Sequence, residues 1–267
     1  MTAARARRTP RLPLQGRRVL VTRPAQQSRI LSDALGRLGA VTVSVPTIEI
    51  IGPRAGGPLD AALRRLADYD WVVVTSVNGV RACVARARAL RVRLDRSDRP
   101  RWAAIGPATA AELRRAGIRV AQMPARYLTS AIGRELRAVR GRRILLPRAD
   151  AASPTLASVL RARGAVVDDV VAYRTRIGPK RHRDRLRRAL AGGRVDTIVL
   201  TSASTVHGLM RLLGRRSRAR HPAAPVAFVC IGPVTAAALE EYGMTATAVA
   251  SEHTARGIID ALVKPAR

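Results

Sequence analysis

Aromatic residues are scarce in this chain: one Phe, two Trp and four Tyr in 267 residues, 3% of the total. So few rings cannot furnish the stacking platforms on which single-stranded nucleic acids are held. Cysteine is scarcer still, with Cys83 and Cys230 alone. Two cysteines without metal-type spacing read as buried free thiols of a reducing, cytoplasmic protein and exclude a disulfide framework. The four histidines, His182, His207, His221 and His253, make no ligand pattern, so no metal site is expected. No run of eighteen apolar residues occurs, and no membrane span is expected. The basic residues of Met1 to Arg11 are not followed by an apolar stretch, so no secretory signal is expected. That segment is read as part of a disordered basic arm over residues 1–15.

Acidic residues are few as well: 18 against 49 basic ones, a net charge of +31. Of the basic residues only Lys180 and Lys264 are lysine, and the arginines are spread along the whole chain rather than clustered. No helix-turn-helix or zinc-finger pattern accompanies them, so no nucleic-acid partner is expected. The charge favours a polyanionic small-molecule ligand by long-range attraction.

What the chain does contain is one stretch written twice. Trp102-Ala-Ala-Ile-Gly-Pro-Ala-Thr-Ala-Ala-Glu-Leu-Arg-Arg-Ala-Gly117 and Phe228-Val-Cys-Ile-Gly-Pro-Val-Thr-Ala-Ala-Ala-Leu-Glu-Glu-Tyr-Gly243 share eight of sixteen positions. Each begins as a short apolar strand, breaks at Gly106-Pro107 or Gly232-Pro233, and continues as a helix that Gly117 or Gly243 terminates. The turn places backbone N–H groups and a threonine, Thr109 or Thr235, at a helix N-terminus, which suits an anion or simple capping. The duplication extends further. Residues 16–41 and 141–166 share eleven of twenty-six positions, and Asp196-Thr-Ile-Val-Leu-Thr-Ser202 matches Asp70-Trp-Val-Val-Val-Thr-Ser76, always at an offset of about 125.

Short apolar strands alternate with amphipathic helices throughout, as in Arg17–Thr22, Ser28–Leu38 and Val41–Val45. This predicts an α/β protein of two similar domains, each a parallel sheet flanked by helices. In such sheets ligands lie at the carboxyl ends of the strands. Thr22-Arg23, Thr75-Ser76, Gly106-Pro107, Pro147-Arg148, Thr201-Ser202 and Gly232-Pro233 all fall at those ends.

These elements, taken in order, resemble the uroporphyrinogen-III synthase family. The matching stretches are Val-Leu-Val-Thr-Arg-Pro24, Thr-Ser-Val-Asn-Gly79, Ile-Gly-Pro-Ala-Thr109, Val-Val-Ala-Tyr-Arg-Thr175, Thr-Ser-Ala-Ser204 and Ile-Gly-Pro-Val-Thr-Ala236, and they cover nearly all of residues 16–263. The resemblance implies exchanged segments, which the repeat by itself does not: residues 16–46 plus 179–267 as one discontinuous domain, 54–172 as the other, and extended connectors at 47–53 and 173–178. It also implies the reaction, cyclisation of hydroxymethylbilane to uroporphyrinogen III with loss of water and inversion of ring D through a spiro intermediate. No cofactor is expected, and a monomer is.

Carried onto this sequence, the resemblance implies Tyr173 as the catalytic group beside the departing hydroxyl. It implies Thr22, Arg23, Thr75, Ser76, Asn78, Gly106, Arg148, Ser202, Ser204, Gly232 and Thr235 as substrate-binding positions. Where some family members carry a second hydroxyl before Thr235, this chain has Val234. The alternative from another class is a non-catalytic two-domain ligand-binding or regulatory protein on the same fold.

Overall fold

A computed structural model of the chain describes residues 11–95, 100–214 and 226–264. In chain order the first segment is β1 (Arg18–Val21), α1 (Ala25–Arg37) and β2 (Val41–Ser44). Then come β3 (Ile48–Ile51), α2 (Pro58–Arg64), β4 (Trp71–Val74), α3 (Val77–Leu90), β5 (Arg101–Ala104), α4 (Pro107–Arg115), β6 (Val120–Gln122) and α5 (Thr129–Glu135). The second half gives β7 (Arg143–Ala149), α6 (Thr155–Ala162), β8 (Val166–Ile177), α7 (Arg183–Leu190), β9 (Thr197–Leu200), α8 (Ala203–Leu213), β10 (Ala227–Cys230), α9 (Pro233–Glu240), β11 (Ala248–Val249) and α10 (Ala255–Val263).

These elements form two compact units. One combines the residues up to Glu49 with those from Arg176 onward; the other is Ile50–Thr175. The first unit holds a sheet of order β11-β10-β9-β1-β2 and the second a sheet of order β3-β8-β7-β4-β5-β6. Read from its other edge, the second sheet is β6-β5-β4-β7-β8 with β3 added, so each strand stands where its duplicate stands in the first. The pairings within both five-strand sets are parallel. Each sheet therefore draws its strands from both copies of the repeat. β1 and β2 of the first copy join β9 to β11 of the second, and β7 and β8 of the second join β4 to β6 of the first.

The seam where the copies meet is built the same way twice. Across β1 and β9, Val19 pairs with Thr197 and Val21 with Val199; across β4 and β7, Trp71 pairs with Ile144 and Val72 with Leu145. An aspartate starts each seam: Asp196 Oδ2 accepts from the Arg18 N–H at 2.8 Å, and Asp70 Oδ2 from the Arg143 N–H at 3.0 Å. At the far end of the first seam the Thr22 hydroxyl donates to the Val199 carbonyl at 2.7 Å.

Both faces of every central strand are buried, as near-continuous apolar sequence requires of parallel sheets. In the first unit Leu20, Ile198 and Leu200 pack on Leu186, Val206, Leu209 and Leu239 of α7 to α9. Val19, Val21 and Val199 face the other way, onto Leu31 and Leu35 of α1 and Ile258 and Leu262 of α10. The second unit repeats this, with Val72, Val74 and Leu145 on α2 to α4 and Trp71, Val73, Ile144 and Leu146 on α5 and α6. Cys83 and Cys230 are free and buried, and desolvation pushes their thiols up to about 12 and about 11.

One expectation needs correction. The basic arm was expected to run through residue 15; residues 1–10 lie outside the described residues, but Leu14 is only 1% exposed and packs with Val19, Leu31 and Leu35. Its N–H donates to the Leu38 carbonyl at 2.9 Å, so the chain is already folded there. α5 stops at Glu135, and Ala138 takes a positive φ of 49°. The segment 173–178, expected as an extended connector, is strand as far as Ile177. It is followed by α7, whose buried residues are Leu186 and Ala189 alone, too thin an apolar stripe to stand out among its arginines.

One buried charge ties α2 to α3. Asp60 is fully buried, and its carboxylate accepts from Arg86 Nε at 2.7 Å, Arg86 Nη2 at 2.6 Å and the Gly56 N–H at 2.6 Å. The Arg86 hydrogen bonds, helped by that N–H, hold the Asp60 carboxyl at about 2 against the upward pull of burial. The folded carboxyl lies below the unfolded value of about 3.9. Its contribution is therefore complete above that value and is lost as pH falls towards 2. Urea unfolding at pH 7 is expected to show Asp60→Asn destabilised by about 3 kcal/mol, the usual cost of leaving one partner of a buried pair. The same variant should show a shallower loss of stability than the parent between about pH 4 and pH 2.

Candidate active site

A doubly wound sheet opens at its switch point, where neighbouring strands lead the chain away in opposite directions. In the second unit that point lies between β4 and β7. β4 runs through Thr75 to Ser76, which begins α3: its Oγ accepts from the Gly79 N–H at 3.0 Å. The same Ser76 Oγ lies 3.0 Å from Tyr173 Oη, which β8 delivers from beside β7. Tyr173 is 9% exposed, so its phenol reaches the strand ends through a mostly apolar wall that includes Val170 and Ala172. Gly79 is needed for approach: a methyl group there would stand 3.1 Å from the Pro147 carbonyl oxygen and 3.3 Å from Ser76 Oγ. Thr75 and Asn78 are half-buried in the same turn.

In the first unit the switch point lies between β1 and β9. Ser202 begins α8 with a capping box: its Oγ accepts from the Thr205 N–H at 3.2 Å, while Thr205 Oγ1 accepts from the Ser202 N–H at 3.2 Å. Ser204 Oγ adds a second hydroxyl 2.9 Å from Ser202 Oγ. Arg23 follows β1, half-buried, and its buried Nε has no hydrogen-bond partner among the described residues. Burial alone pushes this guanidinium's pKa down, so an anion placed against it would repay a desolvation already incurred.

Two of the sequence-derived binding positions are committed elsewhere. Arg148 is buried, with Nε and Nη2 on the two oxygens of Asp169 and Nη1 on the Ser153 carbonyl. All three nitrogens are engaged within β7, β8 and the following turn, which makes this arginine a brace of the sheet edge. The Thr22 hydroxyl is likewise given to the Val199 carbonyl, and the residue is fully buried. Position at a strand end was legible in the sequence; the direction and partner of each side chain were not.

Gly106 and Gly232 are the N-caps of α4 and α9, each followed by proline and neither helped by a capping side chain. Thr109 and Thr235 are buried at 4% and 3%, so neither is the cap. Val234 stands 74% exposed in the first turn of α9, where a hydroxyl in its place would meet solvent or ligand. Two ring residues that the sequence reading did not single out lie on these turns: Tyr127 on Gly106 and His253 on Gly232. The repeat offset, followed one helix further, would have paired them.

This frame, two doubly wound parallel units with hydroxyls at the switch points, is an α/β enzyme scaffold of known kind. The chain matches the family model of uroporphyrinogen-III synthase HemD over residues 29–260. It is 31% identical to the uroporphyrinogen-III synthase of Synechococcus elongatus over 96% of this chain and 97% of the relative. The Salmonella typhimurium uroporphyrinogen-III synthase is 30% identical over 73% of this chain and 79% of its own. Among solved structures, a mutant uroporphyrinogen III synthase of Thermus thermophilus superposes with a TM-score of 0.61 at 20% identity, covering 92% and 96% of the two chains. The Helicobacter pylori uroporphyrinogen-III synthetase gives 0.58 at 15% identity, covering 91% and 97%; both likenesses speak to the fold. The chain belongs to the uroporphyrinogen-III synthase family and is a hydro-lyase of tetrapyrrole biosynthesis with that synthase function. Among the described residues no helix is long and apolar enough to cross a membrane.

Ser76 and Ser202 cap equivalent helices. Replacing either by alanine is expected to cost about 1 kcal/mol in urea unfolding. A Ser202→Ala midpoint equal to that of the parent would show that the capping box carries no stability.

Proposed function

We propose that the chain binds hydroxymethylbilane through the strand-end turns of its units and that Tyr173 assists departure of the hydroxyl as water. The observation that carries this reading is the Tyr173 Oη to Ser76 Oγ contact of 3.0 Å at a switch point. Ser76 Oγ already accepts from the Gly79 N–H. In this reading Ser76 gives its own hydrogen to Tyr173 Oη, which leaves the phenol O–H to point at the leaving hydroxyl. The leaving oxygen takes the phenol proton as the C–O bond breaks and departs as water, the electron-rich pyrroles of the bilane carry the positive charge that develops, and the proton released from carbon at the final ring closure restores the phenol. Attack at the substituted carbon of ring D gives the spiro intermediate, and ring D is inverted when that intermediate reopens and closes again.

The substrate's eight carboxylates need donors spread over several turns. Arg23, the Ser202 and Ser204 hydroxyls, Thr75, Asn78 and the backbone N–H groups after Gly106 and Gly232 supply them in this reading, with Thr235 shaping the second turn. Arg148 and Thr22 are left out of the set because their polar atoms are already bonded. The main task is positioning, since the unassisted bilane closes to the symmetric isomer I. The cytoplasm and a monomeric state complete the reading, in keeping with two buried thiols and no cofactor requirement.

The test uses freshly made hydroxymethylbilane, with uroporphyrin isomers separated after oxidation. The parent is expected to yield mostly isomer III. Tyr173→Phe should lower kcat and kcat/KM together by at least about tenfold, the signature of an interaction made in the transition state. Isomer I alone, at the rate without protein and from demonstrably folded chain, would instead favour a non-catalytic ligand-binding protein.

A further inference from the structure

Tyr127 and His253 occupy equivalent places in the duplicated chain, and the mechanism above uses neither. Tyr127 follows Gly106 by 21 residues, and His253 follows Gly232 by the same 21. Each is the middle residue of a three-residue turn: the Leu128 N–H donates to the Arg126 carbonyl at 2.8 Å, and the Thr254 N–H to the Glu252 carbonyl at 2.8 Å. Neither residue has a positive φ, so both are inverse γ-turns. Each ring residue directly precedes a helix N-cap, Leu128 for α5 and Thr254 for α10. The turn and helix start together fix where each ring points.

Both rings lie on the glycine of an Ile-Gly-Pro turn. A methyl group at Gly106 would come within 3.3 Å of Tyr127 Cγ, and one at Gly232 within 2.6 Å of His253 Nε2. The glycine dihedrals do not themselves demand glycine, because φ is −169° and −180°, ordinary extended backbone. A side chain at either glycine would press on the ring, which would have to shift. Yet the rings are not core. Of the seven Phe, Trp and Tyr residues in the chain Tyr127 alone is exposed, at 57%, and His253 is exposed as well. A ring held against backbone on one side and left in water on the other stabilises a fold poorly. It is well suited to a flat ligand. Each also stands at the carboxyl end of its sheet, over the turn that follows β5 or β10, beside the candidate binding residues of its own unit.

We propose that Tyr127 and His253 are equivalent substrate-positioning residues, each laying its ring against one pyrrole of the bilane next to the Ile-Gly-Pro turn of its unit. The inference rests on the synthase reading and extends it to two residues. The chemistry matches: a pyrrole with acetate and propionate arms has a flat face and a charged rim, while tyrosine and histidine each offer a flat face and one polar edge. Two such seats, one per unit, would each orient one pyrrole before closure.

Kinetics and spectroscopy test this on the full chain. Tyr127→Ala and His253→Ala are expected to raise KM about tenfold with kcat within about threefold of the parent, because ring contact is made in ground and transition states alike. Their thermal midpoints should stay near the parent's. Gly232→Ala, which pushes the His253 ring off its seat, should reproduce the His253→Ala effect, and Tyr127→Phe should recover most of the KM lost in Tyr127→Ala. Unchanged KM in both alanine variants would overturn the proposal. Independently, the His253 imidazole signal in a long-range ¹H–¹⁵N spectrum is expected to shift when uroporphyrinogen III is added anaerobically. A still His253 signal while amides around Ser76 and Ser202 move would overturn this inference and leave the synthase reading standing. If no signal moves at all, the failure is that of the synthase reading itself.

Discussion

Both sheets depend on one pairing, the parallel contact between a strand of the first repeat and a strand of the second. The hydroxyls of Ser76 and Ser202 lie at the carboxyl end of that seam in their respective units. The seam is held by apolar side chains packed on both faces and by an aspartate that accepts a backbone N–H where each seam begins, Asp196 for Arg18 and Asp70 for Arg143. Because adjoining strands at the seam carry the chain in opposite directions, the loops beyond it diverge and leave room at the switch point. Ser76 and Ser202 begin helices at that point in their respective units, so capping geometry and hydroxyl placement come from the same residue.

Much of the architecture was legible because the sequence is written twice. Apolar runs such as Trp71–Val74 and Thr197–Leu200 marked buried strands, and glycines after helices marked their ends: Gly39, Gly117, Gly164 and Gly243 all have positive φ. The exchange of strands was not legible in the repeat, whose simplest division falls at Gly141. Which copy a strand pairs with is decided by long-range burial that no local pattern records. The site was legible in outline only. Tyr173 and Ser76 were identified separately, and the fold brings their oxygens together; Arg148 was singled out for its position and turned out to serve Asp169. Tyr127 and His253 went unnoticed because exposure, which makes a ring unusual, has no signature in sequence.

Charge has a division of labour. Some of the few carboxylates are consumed by buried or half-buried pairs inside one unit, Asp60 with Arg86, Asp169 with Arg148, Glu112 with Arg81. With 49 basic residues against 18 acidic ones, basic side chains exceed carboxylates by 31. A surface of this kind attracts polyanions from a distance, whereas discrimination among them needs fixed donors. Arg23 shows the difference. It is half-buried at a strand end, with an Nε unpaired among the described residues, and a desolvated guanidinium selects for a carboxylate in a way that a solvated one does not.

The exchange of strands also orders events during synthesis. The unit made of residues 50–175 is contiguous, and all of its strands are synthesised before β9 is, so it needs nothing from the later chain to close its core. The other unit cannot. β1 and β2 are translated before the whole of the contiguous unit, but β1 lies in the interior of its sheet and its second partner, β9, arrives some 180 residues later. At roughly 5–20 residues per second those two strands wait on the order of ten seconds or more with an apolar face and an unpaired edge exposed. The strands β1 and β2, made before their partner, are thus among the last to find their place, and chaperone dependence in the cell should centre on them rather than on the active-site loops.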